Sequence, residues 1–142
     1  MQYKKIMCLD YGDARIGIAF SDFLQITANP YQIYNSVNVQ KDIEYISNLA
    51  HNNSVEIIVI GMPYSLDGQT NDRTIKTQEF GTMLQEFSKI KVVYEDERLS
   101  SYEAEEILKQ KRIPPKDRKK HLDMLSAAII LEAYLSNRKK GD

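Results

Sequence analysis

The stretch that most constrains this chain is VEIIVIG, Val55 to Gly61. It is an almost unbroken β-branched run with no polar alternation. Such a run fits a strand covered on both faces, not one with a wet side. A strand of that kind needs helices above and below it, and the flanking sequence supplies them. Val39, Ile43, Ile46 and Ala50 recur at helical spacing before it, and Asn52-Asn53 ends that helix. A second helix is predicted at about Arg73 to Phe87, after the loop MPYSLDGQTND.

The remaining elements follow from the same patterns. Ile6 to Leu9 and Ile16 to Phe20 are apolar runs separated by a short Gly/Asp turn, which predicts a β-hairpin. QITANPYQIY supplies a third strand at a sheet edge, where Pro30 is tolerated. IKVVYEDE gives the last strand. Ser100 and Glu103 form a capping box for a helix through about Lys111, and Pro114-Pro115 stops it. LDMLSAAIILEAYL closes the chain as an apolar helix. The order βββ-α-β-α-β-α-α is that of an α/β protein. It implies a mixed five-stranded sheet, an antiparallel meander then parallel strands, with helices on both faces.

A chain of 142 residues, 42% hydrophobic and 27% charged, suits one compact domain over 1–142. No apolar run approaches the roughly 20 residues of a membrane span, and the N-terminus has no signal-peptide pattern, so a cytoplasmic location is expected. The single cysteine, Cys8, lies in the first apolar run and reads as a small buried hydrophobe. The net charge of −1 names no partner. Its distribution does more: Lys109 to Asp123 concentrates Lys and Arg, and Tyr94 to Glu106 concentrates Asp and Glu. That pairing suits either an ordinary solvated surface or a phosphate-binding rim beside a metal centre.

Acids sit at three places where a plain core would not put them. Asp10 ends the first strand, Asp96 and Glu97 end the strand KVVY, and Asp123 opens the most apolar helix. Parallel strands bring their C-terminal ends to one edge, where open α/β sheets bind ligands. Carboxylates gathered there repel one another unless a cation lies between them, and hard oxygen donors select Mg²⁺ or Mn²⁺. Each acid also has a plainer reading: turn chemistry for Asp10, a local ion pair for Glu97, a helix-dipole acid for Asp123. Gly12 and Gly17 allow a close backbone or substrate approach, and Arg15 suits a phosphate.

Four motifs in order resemble the YqgF-type, RuvX-like family. Asp10-Tyr-Gly12-Asp-Ala-Arg15-Ile-Gly17-Ile-Ala19 fits its D-x-G-x-x-R-x-G-x-A opening. Gly61-Met-Pro63-Tyr-Ser-Leu-Asp67-Gly68 fits its G-x-P-x-x-x-D-G loop, and Asp96-Glu97-Arg98-Leu99-Ser100 its D-E-R-[LF]-[ST] motif. Asp123-Met-Leu-Ser126-Ala127-Ala128-Ile-Ile-Leu131 fits its closing helix. The match runs nearly end to end. The resemblance implies an RNase H-like fold and a nuclease. Family members are described as Holliday-junction resolvases and as nucleases maturing the 5′ end of pre-16S rRNA.

It further implies Asp10, Glu97 and Asp123 as metal-binding catalytic acids, with Asp96 as the alternate to Glu97. Arg15, Arg98, Arg112, Lys116, Lys119 and Lys120 are the expected nucleic-acid contacts. Gly12, Gly17, Gly61, Pro63 and Gly68 would shape the loops around the cleft. Pre-rRNA is the preferred substrate and branched DNA the alternative, with a monomer for the first and a homodimer for the second. Two other classes share features with this chain. Actin-like ATPases and sugar kinases also open on D-x-G, but they need two lobes. A non-catalytic RNA-binding module would keep the fold without turnover.

Overall fold

The structure, a computed structural model, describes residues 3–65, 67–97 and 114–141, with Glu106, Lys109, Gln110 and Arg112 described singly between them. The side chains of 118–121, 123 and 139–141 are outside that description. Five strands, β1 (Lys5–Tyr11), β2 (Arg15–Ser21), β3 (Ala28–Asn35), β4 (Val55–Met62) and β5 (Lys91–Asp96), form one sheet in the order β3-β2-β1-β4-β5. The β1–β2 and β2–β3 pairs are antiparallel, whereas β4 lies parallel to both β1 and β5. β4 is thus interior, as its unbroken apolar run requires, and β3 with its proline is an edge. Pro30 pairs with Ala19 where the β2–β3 register shifts.

Helices cover both faces. α1 (Val39–Asn52) and α2 (Asp72–Ser88) pack on one, α3 (Pro115–Gly141) on the other. Asn38 caps α1 by accepting from the Lys41 N–H at 2.9 Å. In the first turn of α1, buried Asp42 accepts from Tyr34 Oη, Ser36 Oγ and the Val37 N–H, which ties the β3 edge to the helix. Strand alternation sorts the core. Met7 and Leu9 of β1, Ile16 and Ile18 of β2, and Ile58 and Ile60 of β4 face Ile43, Ile46, Phe80 and Leu84. Ile6, Cys8, Ala19 and Val59 face Ala127, Ile130, Leu131 and Leu135 of α3. Each large side chain withdrawn from water this way contributes roughly 1.5–3 kcal/mol.

One expectation changes. The closing helix starts earlier than expected: Pro115 begins it, and as α3 it runs 27 residues. Proline at the first helical position lacks only an N–H that would be unbonded there anyway, and its fixed φ suits the helix. Lys116, Lys119 and Lys120 therefore lie in the first turns of α3, and Asp123 lies two turns in rather than at the start. The helix expected between Ser100 and Lys111 falls mostly outside the described residues. Among the described residues no helix is long and apolar enough to cross a membrane.

Candidate active site at the strand ends

Because β1, β4 and β5 run parallel, their C-terminal ends share one edge. Asp10 is the even-numbered neighbour of Ile6 and Cys8, so it faces α3. On β5, Val92 and Tyr94 pack toward α1 and α2, while Val93 packs toward α3. Alternation then puts Glu95 and Glu97 on the α3 face and Asp96 on the other. Asn137 of α3 donates to Glu95 at 2.6 Å, which agrees. The Glu97 N–H donates to the Met62 carbonyl at 3.2 Å, continuing the β4–β5 pairing one residue past the strand. Asp96 is exposed. Of the two neighbouring acids, Glu97 is the one that meets Asp10.

The strand between them makes room. Leu9 pairs with Ile60, so Gly61 lies beside Asp10, and Gly61 in turn pairs with Glu95. A Cβ on Gly61 would stand 2.8 Å from Glu97 Oε2 and 2.7 Å from Ile130 Cδ1. The Glu97 carboxyl therefore lies over the bare backbone of β4 and reaches a hydrogen bond with the Asp10 carboxyl. On the other side of Asp10 its cross-strand partner is Gly17, again without a side chain.

The electrostatics follow from this approach. Burial, then the Asp10 charge and the shared hydrogen bond, push Glu97 from the ordinary 4.5 up to about 8. Arg73 pulls weakly the other way. The shift favours the protonated Glu97 carboxyl beside Asp10 near neutral pH. Burial and the same acids push the Cys8 thiol up as well, which keeps it an inert packing group.

The other expected residues sit as follows. In α3, position 123 precedes Ala127 by one turn and Ile130 by two, on the stripe of the helix that packs against the sheet. At two turns from the N-terminus it is beyond the reach of the helix dipole, so that plainer account of the acid does not apply. Among the described residues no three His, Cys, Asp or Glu side chains are gathered as a metal cluster. Asp10 and Glu97 make two, and the Asp123 side chain is outside the description. Arg15 starts β2, exposed, with the parity of Gly17. Arg112 and Lys116 are exposed, and Arg98 is outside the described residues.

Gly12 closes the β1–β2 turn, its N–H bonded to the Arg15 carbonyl at 3.0 Å; a Cβ there would lie 2.8 Å from that oxygen. Gly68 turns the β4–α2 loop at φ 86°, donating to the Ser65 carbonyl at 2.7 Å. The Pro63 carbonyl accepts from Asn71 Nδ2 at 3.0 Å.

Two residues at this edge were not singled out from sequence. Asn71 caps α2 by accepting from the Arg73 and Thr74 N–H groups, and its Nδ2 also donates to Ser65 Oγ at 3.1 Å, so one side chain pins the loop to the helix. Arg73, in the first turn of α2, donates from Nη2 to the Tyr11 carbonyl at 3.5 Å. The available signal was an Asn followed three residues later by Thr, with an arginine inside that turn.

Residues 4–137 match the family described as "RuvX: Holliday junction resolvase". A protein of Syntrophomonas wolfei named "Putative pre-16S rRNA nuclease" is 42% identical over 96% of this chain and 97% of its own length. A protein of the same name from Halothermothrix orenii is 40% identical over 96% and 97%. Among solved structures, Thermus thermophilus RuvC in complex with a Holliday junction substrate superposes with TM-score 0.58 at 12% identity, over 96% of each chain. The fowlpox virus Holliday junction resolvase gives 0.57 at 16% identity, over 94% of this chain and 99% of that one. These likenesses, with the strand order, make the fold RNase H-like. By the match over nearly all of its length and by relatives of this identity, the chain belongs to the RuvX family.

Proposed function

We propose that this chain is a divalent-metal-dependent nuclease that hydrolyses phosphodiester bonds in structured nucleic acid, and that its substrate is the 5′ region of precursor 16S rRNA in the cytoplasm. The observation that carries this reading is the Asp10–Glu97 carboxyl pair over Gly61, at the shared edge of three parallel strands. Two carboxyls this close repel one another when both are ionised, and a cation between them would relieve that repulsion. Their donor set, all hard oxygen, fits Mg²⁺ or Mn²⁺. Asp123 joins them as third ligand in this reading, its helix position being on the sheet-facing stripe. When bound, one or two such ions supply Lewis-acid stabilisation of the scissile phosphate and its leaving oxygen.

The chain's own residues do the rest. Asp10 sits on β1, and Glu97 follows β5 with its N–H on the Met62 carbonyl, so the backbone brings both acids to this edge before substrate arrives. Arg15, Arg98, Arg112, Lys116, Lys119 and Lys120 supply positive charge along the backbone of the nucleic acid. The whole chain acts as one catalytic domain. The family description and the relatives' names favour different substrates, so a four-way DNA junction is the second reading. It demands two symmetric cuts and hence a homodimer, whereas rRNA trimming needs one site and suits a monomer.

The test compares wild type and Asp10→Asn on pre-16S RNA and on a synthetic four-way junction, with Mg²⁺ or Mn²⁺. Wild type should cut the RNA, and the variant should lose at least about a thousandfold, roughly 4 kcal/mol of barrier. Cutting of the junction alone would move the assignment to the second reading. Binding without cleavage by both proteins would make the chain a binding module and overturn the enzyme.

A further inference from the structure

We infer that Arg73 is a phosphate-gripping residue of this site, closing on the nucleic-acid backbone from the side of the sheet opposite α3. The inference rests on the nuclease reading above and adds a contact to it.

Arg73 is the second residue of α2, after the cap Asn71 and Asp72, where the β4–α2 loop arrives from the strand-end edge. Helix starts often bind anions through free N–H groups. Here Asn71 already accepts from the N–H groups of Arg73 and Thr74, so the anion-binding capacity of this turn lies in the guanidinium. That guanidinium reaches across the end of β1 to the carbonyl of Tyr11, the residue after Asp10. The contact, at 3.5 Å, is long and uses one of five donors.

The contrast with its neighbour narrows the role. Lys76, one turn on, is held in an exposed ion pair with Asp13 at 2.7 Å. Arg73 has no ion pair among the described residues, and it is exposed. An arginine built only to brace the turn would be expected to satisfy more of its fork. A planar fork open to water, beside a pair of acids, matches two oxygens of one phosphate. Of the cations expected from sequence, Arg15 lies at the start of β2 and Arg112, Lys116, Lys119 and Lys120 lie around the start of α3. Arg73 comes instead from α2, on the other face, so a strand lying across the edge would be held from both sides.

The test is Arg73→Ala and Arg73→Lys, assayed for cleavage of the RNA and for binding of uncut RNA in the Asp10→Asn background across a salt series. Arg73→Ala should weaken binding by about tenfold or more, seen as a raised KM, and lower the slope of log affinity against log salt by about one. Arg73→Lys should restore the slope and part of the affinity, because a point charge remains without the fork. Melting temperatures of both variants should match wild type. Wild-type KM and salt slope in Arg73→Ala would overturn the inference and leave the nuclease standing. So would a binding loss that Arg73→Lys shares in full and that tracks a lowered melting temperature. A wild-type protein that neither cuts nor binds RNA or junction removes the nuclease reading first, and Arg73 with it.

Discussion

The two faces of the sheet are made from the same strands and do different jobs. Toward α1 and α2, Met7, Leu9, Ile16, Ile18, Ile58 and Ile60 meet Phe80 and Leu84, all of them essentially without solvent exposure. Toward α3 several alternate positions are smaller: Cys8 on β1, Gly17 and Ala19 on β2 and Gly61 on β4 stand among Ile6 and Val59, facing Ala127 and Ala128 on the helix. The first face is filled with bulk, and the second trades bulk for space near the strand ends. That space is where Glu97 crosses β4 to reach Asp10. A strand period of two lets a single segment such as MCLDY pack Met7, Leu9 and Tyr11 on one face and carry the Asp10 carboxyl on the other. Stability and reactivity are then separable by substitution.

The largest expected effect on stability comes from the filled face. Phe80 is fully buried and stacks on Tyr11 with ring centroids 4.3 Å apart. Phe80→Ala should cost about 3–5 kcal/mol in urea unfolding, through lost burial and the cavity left behind. Cleavage per folded molecule should change little. A large activity loss in protein that is still folded would show that the two faces are coupled and break the separation.

That separation was only half legible in the sequence. The strands and α1 follow from apolar runs and Asn caps, and the converging edge follows from parallel topology. The choice between Asp96 and Glu97 was not readable, because Val92, Val93 and Tyr94 are consecutive apolar residues with no alternation to give the parity. Only their partition between the two helix layers settles it. The start of α3 was misread because Pro114-Pro115 looks like a stop, and the same residue type also opens helices. Arg73 could not be placed from sequence at all. Its distance to Tyr11 depends on how the β4–α2 loop closes, and the Asn71 contacts to Pro63 and Ser65 that close it join positions several residues apart in a segment with no periodicity.

The next effect belongs to the reactive face and depends on pH. Folding raises Glu97 from 4.5 to about 8. Between those values the folded metal-free protein holds a proton that the unfolded chain has released, so stability present below 4.5 is lost as pH rises toward 8. The full difference would be roughly 5 kcal/mol. Glu97 is only half-buried and water screens it, so on the order of 2–3 kcal/mol is expected. Glu97→Gln imitates the protonated form. It should match wild type near pH 4.5 and exceed it by that amount near pH 8, measured by urea unfolding without divalent ions. Saturating Mg²⁺ should raise the wild-type melting temperature more at pH 8 than at pH 6, and should do so less in the variant. Parallel stability curves for the two proteins would mean that the carboxyls do not share a proton.

The smallest effect on stability, and the most informative about the site, is expected at Gly61. Gly61→Ala adds one methyl group where Ile130 Cδ1 and Glu97 Oε2 would each lie within 2.8 Å. Ile130 is buried against the sheet and has little room to withdraw, whereas the Glu97 carboxyl stands at the end of a flexible arm. The arm should yield, at a cost of about 1–2 kcal/mol for the crowded contact. Its movement takes the carboxyl off β4 and away from Asp10. Cleavage should therefore fall by far more than the stability loss explains, and the pH-dependent gap between Glu97 and Gln at position 97 should shrink in the Gly61→Ala background. A fully active Gly61→Ala protein with an unchanged pH profile would require Glu97 to reach Asp10 by some route other than across the bare strand. The small residues of the α3 face would then be a matter of helix packing alone.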